Sequence, residues 1–106
     1  MADSPVMPAE MAAWEVLTTA ARSHAEAVIA ADLAARLPSA EPLMIARKAI
    51  RNMTLPPGQQ MAASPMVRLL RLVDRWAVMN PYDRRIAAAE LRNTAAEAAQ
   101  MAGFAP

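Results

Sequence analysis

The chain has no cysteine, two glycines, one histidine and four aromatic residues, Trp14, Trp76, Tyr82 and Phe104. Each shortage removes something. Without cysteine there is no disulfide, no thiolate metal site and no thiol nucleophile. With glycine confined to Gly58 and Gly103, no glycine-rich loop is left to cradle a phosphate. A lone histidine needs carboxylate help to hold a metal, and the closest carboxylate to His24 in sequence, Glu26, diverges from it at i,i+2 on a helix. Charge interrupts every apolar stretch well short of the ~20 residues that span a bilayer. The opening MADSPVMPAE has no basic residue, and none follows before Arg22. These absences predict no metal, no cofactor, no membrane segment and a cytoplasmic location.

What is present is alanine and proline. Alanine, with so few aromatic residues, favours helix over sheet. Proline removes a backbone donor and clashes with the preceding turn, so it divides the 106 residues into segments. The first helix is expected from Pro8 to Leu37, with Met11, Trp14, Leu17, Ala21, Val28, Leu33 and Leu37 on its apolar side. Its stripe drifts near Ser23-His24, where the spacing allows a bend. Ser39 caps a second helix with Leu43, Ala46, Ile50 and Met53 facing inward, ending near Asn52 or Met53. TLPPGQQMAAS reads as a surface loop. Ser64-Pro65 and Asn80-Pro81 each place a cap residue before a proline in the first helical position, and Gly103 stops the last helix. The prediction is an all-α fold, a compact bundle of about four helices forming a single domain over 1–106.

Ser39 and Ser64 are accounted for by capping, and the acidic residues by helix surfaces and first turns. No remaining Ser or Thr is marked by a positioned base and an oxyanion donor, and spacing alone leaves paired carboxylates open for acid and base work. No catalytic residue is therefore assigned, and the expectation is a protein that is not an enzyme.

Net charge is +1, but unevenly distributed. Residues 1–46 carry two basic and six acidic residues, a balance of −4. Residues 47–85 carry Arg47, Lys48, Arg51, Arg68, Arg71, Arg75, Arg84 and Arg85 against Asp74 and Asp83, a balance of +6. Such asymmetry predicts either contact with a polyanion or an acidic partner, or an acidic first helix lying against basic later ones.

LAARLPSAEPLMIARKAI resembles a helix-turn-helix, with Leu33, Ala34 and Leu37 inside, Pro38-Ser39-Ala40 as the turn, and Met44 and Ile50 anchoring the second helix. That resemblance implies DNA binding, transcriptional or architectural. Arg47, Lys48 and Arg51 fall at the C-terminal end of the second helix, whereas base edges are read mainly from the N-terminal half, here Ala40, Glu41, Pro42, Leu43 and Met44. The nucleic-acid contact implied is with phosphates: weak, salt-sensitive and non-specific.

In the third helix Arg68, Arg71 and Arg75 form one stripe, opposite Met66, Leu69, Leu70, Val73, Trp76 and Ala77. Leu72 and Val78 lie off the main apolar stripe and are read as a second, partner-facing apolar surface. Arg84 and Arg85 stand in the first turn of the fourth helix, where the helix dipole disfavours cations, so they have less structural justification than the other arginines. Ala88, Ala95, Ala98 and Ala102 around Leu91 make a seam suited to close helix approach, and so to a homo-oligomer. The preferred function is a small non-enzymatic interaction, regulatory or accessory-subunit protein with a protein partner, acting through an apolar helix face rimmed by arginine. A DNA-binding helix-turn-helix protein is the alternative.

Overall fold

The proline-bounded segments become four helices. A computed structural model describes residues 8–50 and 63–103. It contains α1 (Pro8–Ala30), α2 (Glu41–Lys48), α3 (Pro65–Trp76) and α4 (Pro81–Ala102), with no strand among the described residues. The last two starts form as their sequences dictate. The Ser64 hydroxyl accepts from the Met66 N–H at 3.2 Å and the Asn80 side-chain oxygen accepts from the Asp83 N–H at 2.8 Å. Each satisfies a donor that the first turn would otherwise leave unpaired, a contribution of ~1 kcal/mol per cap. Gly103 ends α4 at φ 91°, a left-handed conformation that glycine adopts without strain. At α2 the Ser39 hydroxyl does accept the Glu41 N–H, at 3.1 Å, but the N-cap position itself belongs to Ala40.

Two helix ends depart from expectation. α1 runs unbroken through Ser23-His24 and stops at Ala30, seven residues before Leu37. The reason is tertiary. Arg85, on α4, donates to the carbonyls of Ala31 at 3.4 Å, Leu33 at 3.3 Å and Ala35 at 2.8 Å, drawing this backbone out of the helical ladder. α2 ends at Lys48, and Ala49 and Ile50 wind down through a turn. The expected loop TLPPGQQMAAS lies outside the described residues except for Ala63 and Ser64, as do Arg51 and Met53.

Helix contacts close a ring: α1 packs on α4 and α2, and α3 packs on α4 and α2. Trp14, Leu17, Leu43, Met66, Leu69, Val73, Trp76 and Leu91 fill the space between them, each essentially inaccessible to water. Full burial of such side chains stabilises the fold by ~1.5–3 kcal/mol apiece. Leu72, expected on a partner-facing surface, belongs to this core at 2% exposure. The arc of α3 is wide because the helix has two neighbours inside the bundle, so its width needs no external partner. Of the alanine seam, Ala88, Ala95 and Ala98 are fully buried, as are Ala21 and Ala25 of α1, and Ala102 is partly buried against the same core, so these residues make contacts inside the bundle.

Candidate interaction surface

The helix-turn-helix expected over residues 33–50 is not formed. Residues 31–40 are a ten-residue irregular connection, and Leu33, expected inside, is 89% exposed. The segment lacks its first helix because Arg85 holds the carbonyls that helix would use. Arg47 is also committed. Its Nε and Nη2 donate to the two carboxylate oxygens of Asp74 at 2.9 and 3.1 Å, a bidentate link from α2 to α3.

The remaining arginines divide into those that hold the fold and those that face water. Arg84 and Arg85 have more structural justification than their first-turn position suggests. The Arg84 Nε donates at 3.1 Å to the carbonyl of Trp76, the last residue of α3, and Arg85 serves the chain just past the end of α1. Both place a cation at the negative end of a neighbouring helix, where the dipole favours it. α1 has no basic residue in its own last turn, so Arg85 supplies one from α4. Arg68 pairs with Glu97 of α4 at 2.7 Å. Lys48, Arg71 and Arg75 are exposed.

Arg68, Arg71 and Arg75 line a groove of about 600 Å³ between α3 and α4, opposite Glu90, Asn93, Thr94 and Glu97. Next to it toward the α3–α4 turn lies a second depression of about 410 Å³, lined by Arg75, Val78, Met79, Asp83, Ile86 and Ala87. Arg75 borders both. Val78 is 86% exposed, Ile86 64% and Tyr82 71%. Tyr82 and Ile86 are i,i+4 neighbours on α4, and Tyr82 shares a further depression with Leu33. Val78 is therefore on the surface as expected, but its companions are Ile86, Tyr82 and Leu33 rather than Leu72. The sequence held that signal: on a helical projection Tyr82 and Ile86 fall opposite Ala88, Leu91 and Ala95.

His24, the one histidine, is buried between α1 and α3, where its Nε2 accepts a 3.1 Å hydrogen bond from the Trp76 indole N–H. The rings meet edge to face, with centroids 5.7 Å apart. An accepting Nε2 requires the neutral imidazole with its proton on Nδ1. Burial, and secondarily the positive charge of Arg84, lower its pKa below the ordinary 6.5. Its role is to tie α1 to α3. Among the described residues no group of three or more His, Asp or Glu side chains is placed to hold a metal ion, and no helix is long and apolar enough to cross a membrane.

No known protein family, curated protein or solved structure matches the chain.

Proposed function

We propose that this protein is a small non-enzymatic interaction or accessory-subunit protein that binds another protein through the apolar corner where α3 turns into α4. The observation that carries this reading is the outward placement of Leu33, Val78, Tyr82 and Ile86 around one corner, beside the exposed arginines of α3. Large apolar side chains gathered on an exposed corner stabilise nothing in the monomer, and such clusters mark contact surfaces. The arginine rim favours a partner bearing carboxylates.

The test is affinity recovery from native extract, with light scattering on the purified chain, comparing wild type with Val78→Asp/Ile86→Asp. The expected result is one or more stoichiometric partners, or a defined homo-oligomer, lost in the double variant while helix content is unchanged. A monomer that recovers nothing, or an assembly indifferent to the double variant, overturns the reading. A duplex-DNA titration run in parallel separates it from a nucleic-acid function: tight, sequence-selective binding abolished at Arg47 and Lys48 supports DNA recognition instead.

A further inference from the structure

The segment that joins α1 to α2 sets its local preference against its tertiary contacts. AADLAAR, residues 30–36, consists mostly of strong helix formers, and Asp32 and Arg36 stand i,i+4, the spacing of a supporting helix pair. Pro38 disfavours helix at Leu37, so local preference alone would carry α1 to about Arg36. Instead α1 stops at Ala30. One turn survives beyond it, closed by the Ala35 N–H on the Asp32 carbonyl at 2.9 Å. In a continued α-helix that N–H would go to the carbonyl of Ala31, which accepts from Arg85 at 3.4 Å. Arg85 also donates to the carbonyls of Leu33 at 3.3 Å and Ala35 at 2.8 Å, so one guanidinium holds the segment at three points. Leu37 and Ala40, partly buried against the core, favour the same irregular path. A helix former kept out of helix by a contact from another element is a conflict between local and global preference, and such conflicts gather at strained or functional places.

We infer that residues 31–36 are a two-state element, strapped in its irregular form by Arg85 and able to join α1 as helix when the guanidinium is withdrawn. In the strapped state the segment lies beside the start of α4, where Leu33 to Leu37 share a depression with Pro81 and Tyr82. In the extended state the same six residues would run ~9 Å further along the axis of α1, and that depression would be lost. The bonds to Leu33 and Ala35 lie at the surface, and residues 32–36 are exposed, so the strap opens without uncovering the core. The residual turn at Asp32–Ala35 supplies a nucleus, the costly step in adding helix. No readout below involves a partner, so the inference stands or falls apart from the function proposed above.

The test is Arg85→Gln in the full chain, because the glutamine amide ends two bonds short of the guanidinium nitrogens. Circular dichroism should show helical ellipticity higher by about a tenth, the share that six residues add to the four helices. Cα chemical shifts of residues 31–36 should move to helical values. Amide exchange at Leu33, Ala34 and Arg36, whose N–H groups have no backbone acceptor among the described residues, should slow by about tenfold. Ala34→Gly should leave the helix content of the wild type unchanged and cancel the rise in Arg85→Gln, since glycine disfavours helix. Arg85→Lys keeps the charge but not the planar fork, and should give a smaller rise; it decides the matter if Arg85→Gln loses cooperative folding. Unchanged ellipticity and shifts in the Arg85 variants overturn the inference. Faster exchange at residues 31–36 without added helix overturns it as well, because Arg85 would then pin a segment that has no helical alternative. A rise that Ala34→Gly fails to cancel places the new helix elsewhere and has the same consequence.

Discussion

α4 carries two faces built on opposite scales. On its inner side it presents Ala88, Ala95 and Ala98 around Leu91, all buried and all but one as small as a side chain with a Cβ can be. On its outer side it presents Tyr82 and Ile86, large and mostly exposed. A chain optimised only to fold would put large groups inside, because burial scales with area. Here the inner seam gives up area for close backbone approach, and large apolar groups are left on the outer corner. The two faces differ in what they touch: the inner one packs within the bundle, and the outer one, on the function proposed above, is the side that meets a partner.

The sharpest way to break this comparison is to place the same charge on each side of the division. Leu72→Asp buries a carboxylate among core side chains at a position 2% exposed. An unpaired buried charge costs several kcal/mol, comparable with the ~5–15 kcal/mol total stability of a domain. Circular dichroism should show loss of cooperative folding. A folded Leu72→Asp protein would mean that this side of α3 is open to solvent and belongs with the outer face.

Next in size is Trp76→Ala. The ring is fully buried and its N–H is donated to His24, so truncation leaves both a cavity and an unpaired acceptor. Denaturant titration should show a loss of ~3–5 kcal/mol. Smaller again is Ala95→Leu, which forces three more carbons into the α1–α4 seam. It should destabilise by ~1–3 kcal/mol if the seam is as close as its composition implies. A neutral result would show slack between the helices and return the seam to the list of surfaces available for assembly.

These contrasts bear on how much could be read from the residues alone. The starts of α3 and α4 and the stop at Gly103 were legible because cap, proline and glycine act locally. Val78 was read as exposed on the same argument as Leu72, and it is exposed because it lies past the end of α3, in the turn to α4. The end of α1 was not legible. ADLAARL keeps helical spacing, and the group that unwinds it, Arg85, comes from about fifty residues away. Leu72 failed for a related reason: a wide apolar arc looks the same whether the neighbour that covers it is another molecule or, as here beside Thr94, another helix of the same bundle. The arginines were indistinguishable in sequence, and they divided only once folding brought Trp76, Ala31, Asp74 and Glu97 to some of them.

Acidification probes the inner side more gently. His24 has its pKa lowered by burial and by Arg84, so as pH falls the unfolded chain takes up the proton before the folded one does. Its contribution to stability is complete above the unfolded value of 6.5, decreases as pH falls from there to the folded pKa, and is constant below it. The slope within that window is at most ~1.4 kcal/mol per pH unit for one proton. Denaturant titrations at ~pH 7.5 and ~pH 5.5 should show the wild type less stable at the lower pH. His24→Gln should remove that part of the pH dependence while keeping a side-chain oxygen to accept from the Trp76 N–H. An unchanged slope in His24→Gln would place the pH sensitivity elsewhere.

The smallest expected effect on stability is the most informative for function. Ile86→Asp replaces a side chain 64% exposed, beyond the first turn of α4, in a region whose apolar neighbours Val78 and Tyr82 are also turned outward. The loss of buried area is slight and the helix-propensity cost a few tenths of a kcal/mol, so stability should change by no more than ~0.5 kcal/mol. Association measured on the same preparation should fall by an order of magnitude or more if the corner is a contact surface, because a carboxylate at the centre of an apolar interface is left desolvated and unpaired. A stability loss of ~2 kcal/mol or more would instead mean that Ile86 packs within the monomer. The opposition between the inner and outer faces of α4 would then disappear. Unchanged stability with unchanged association would leave the two faces different in size and burial but would remove the functional meaning attached to the outer one.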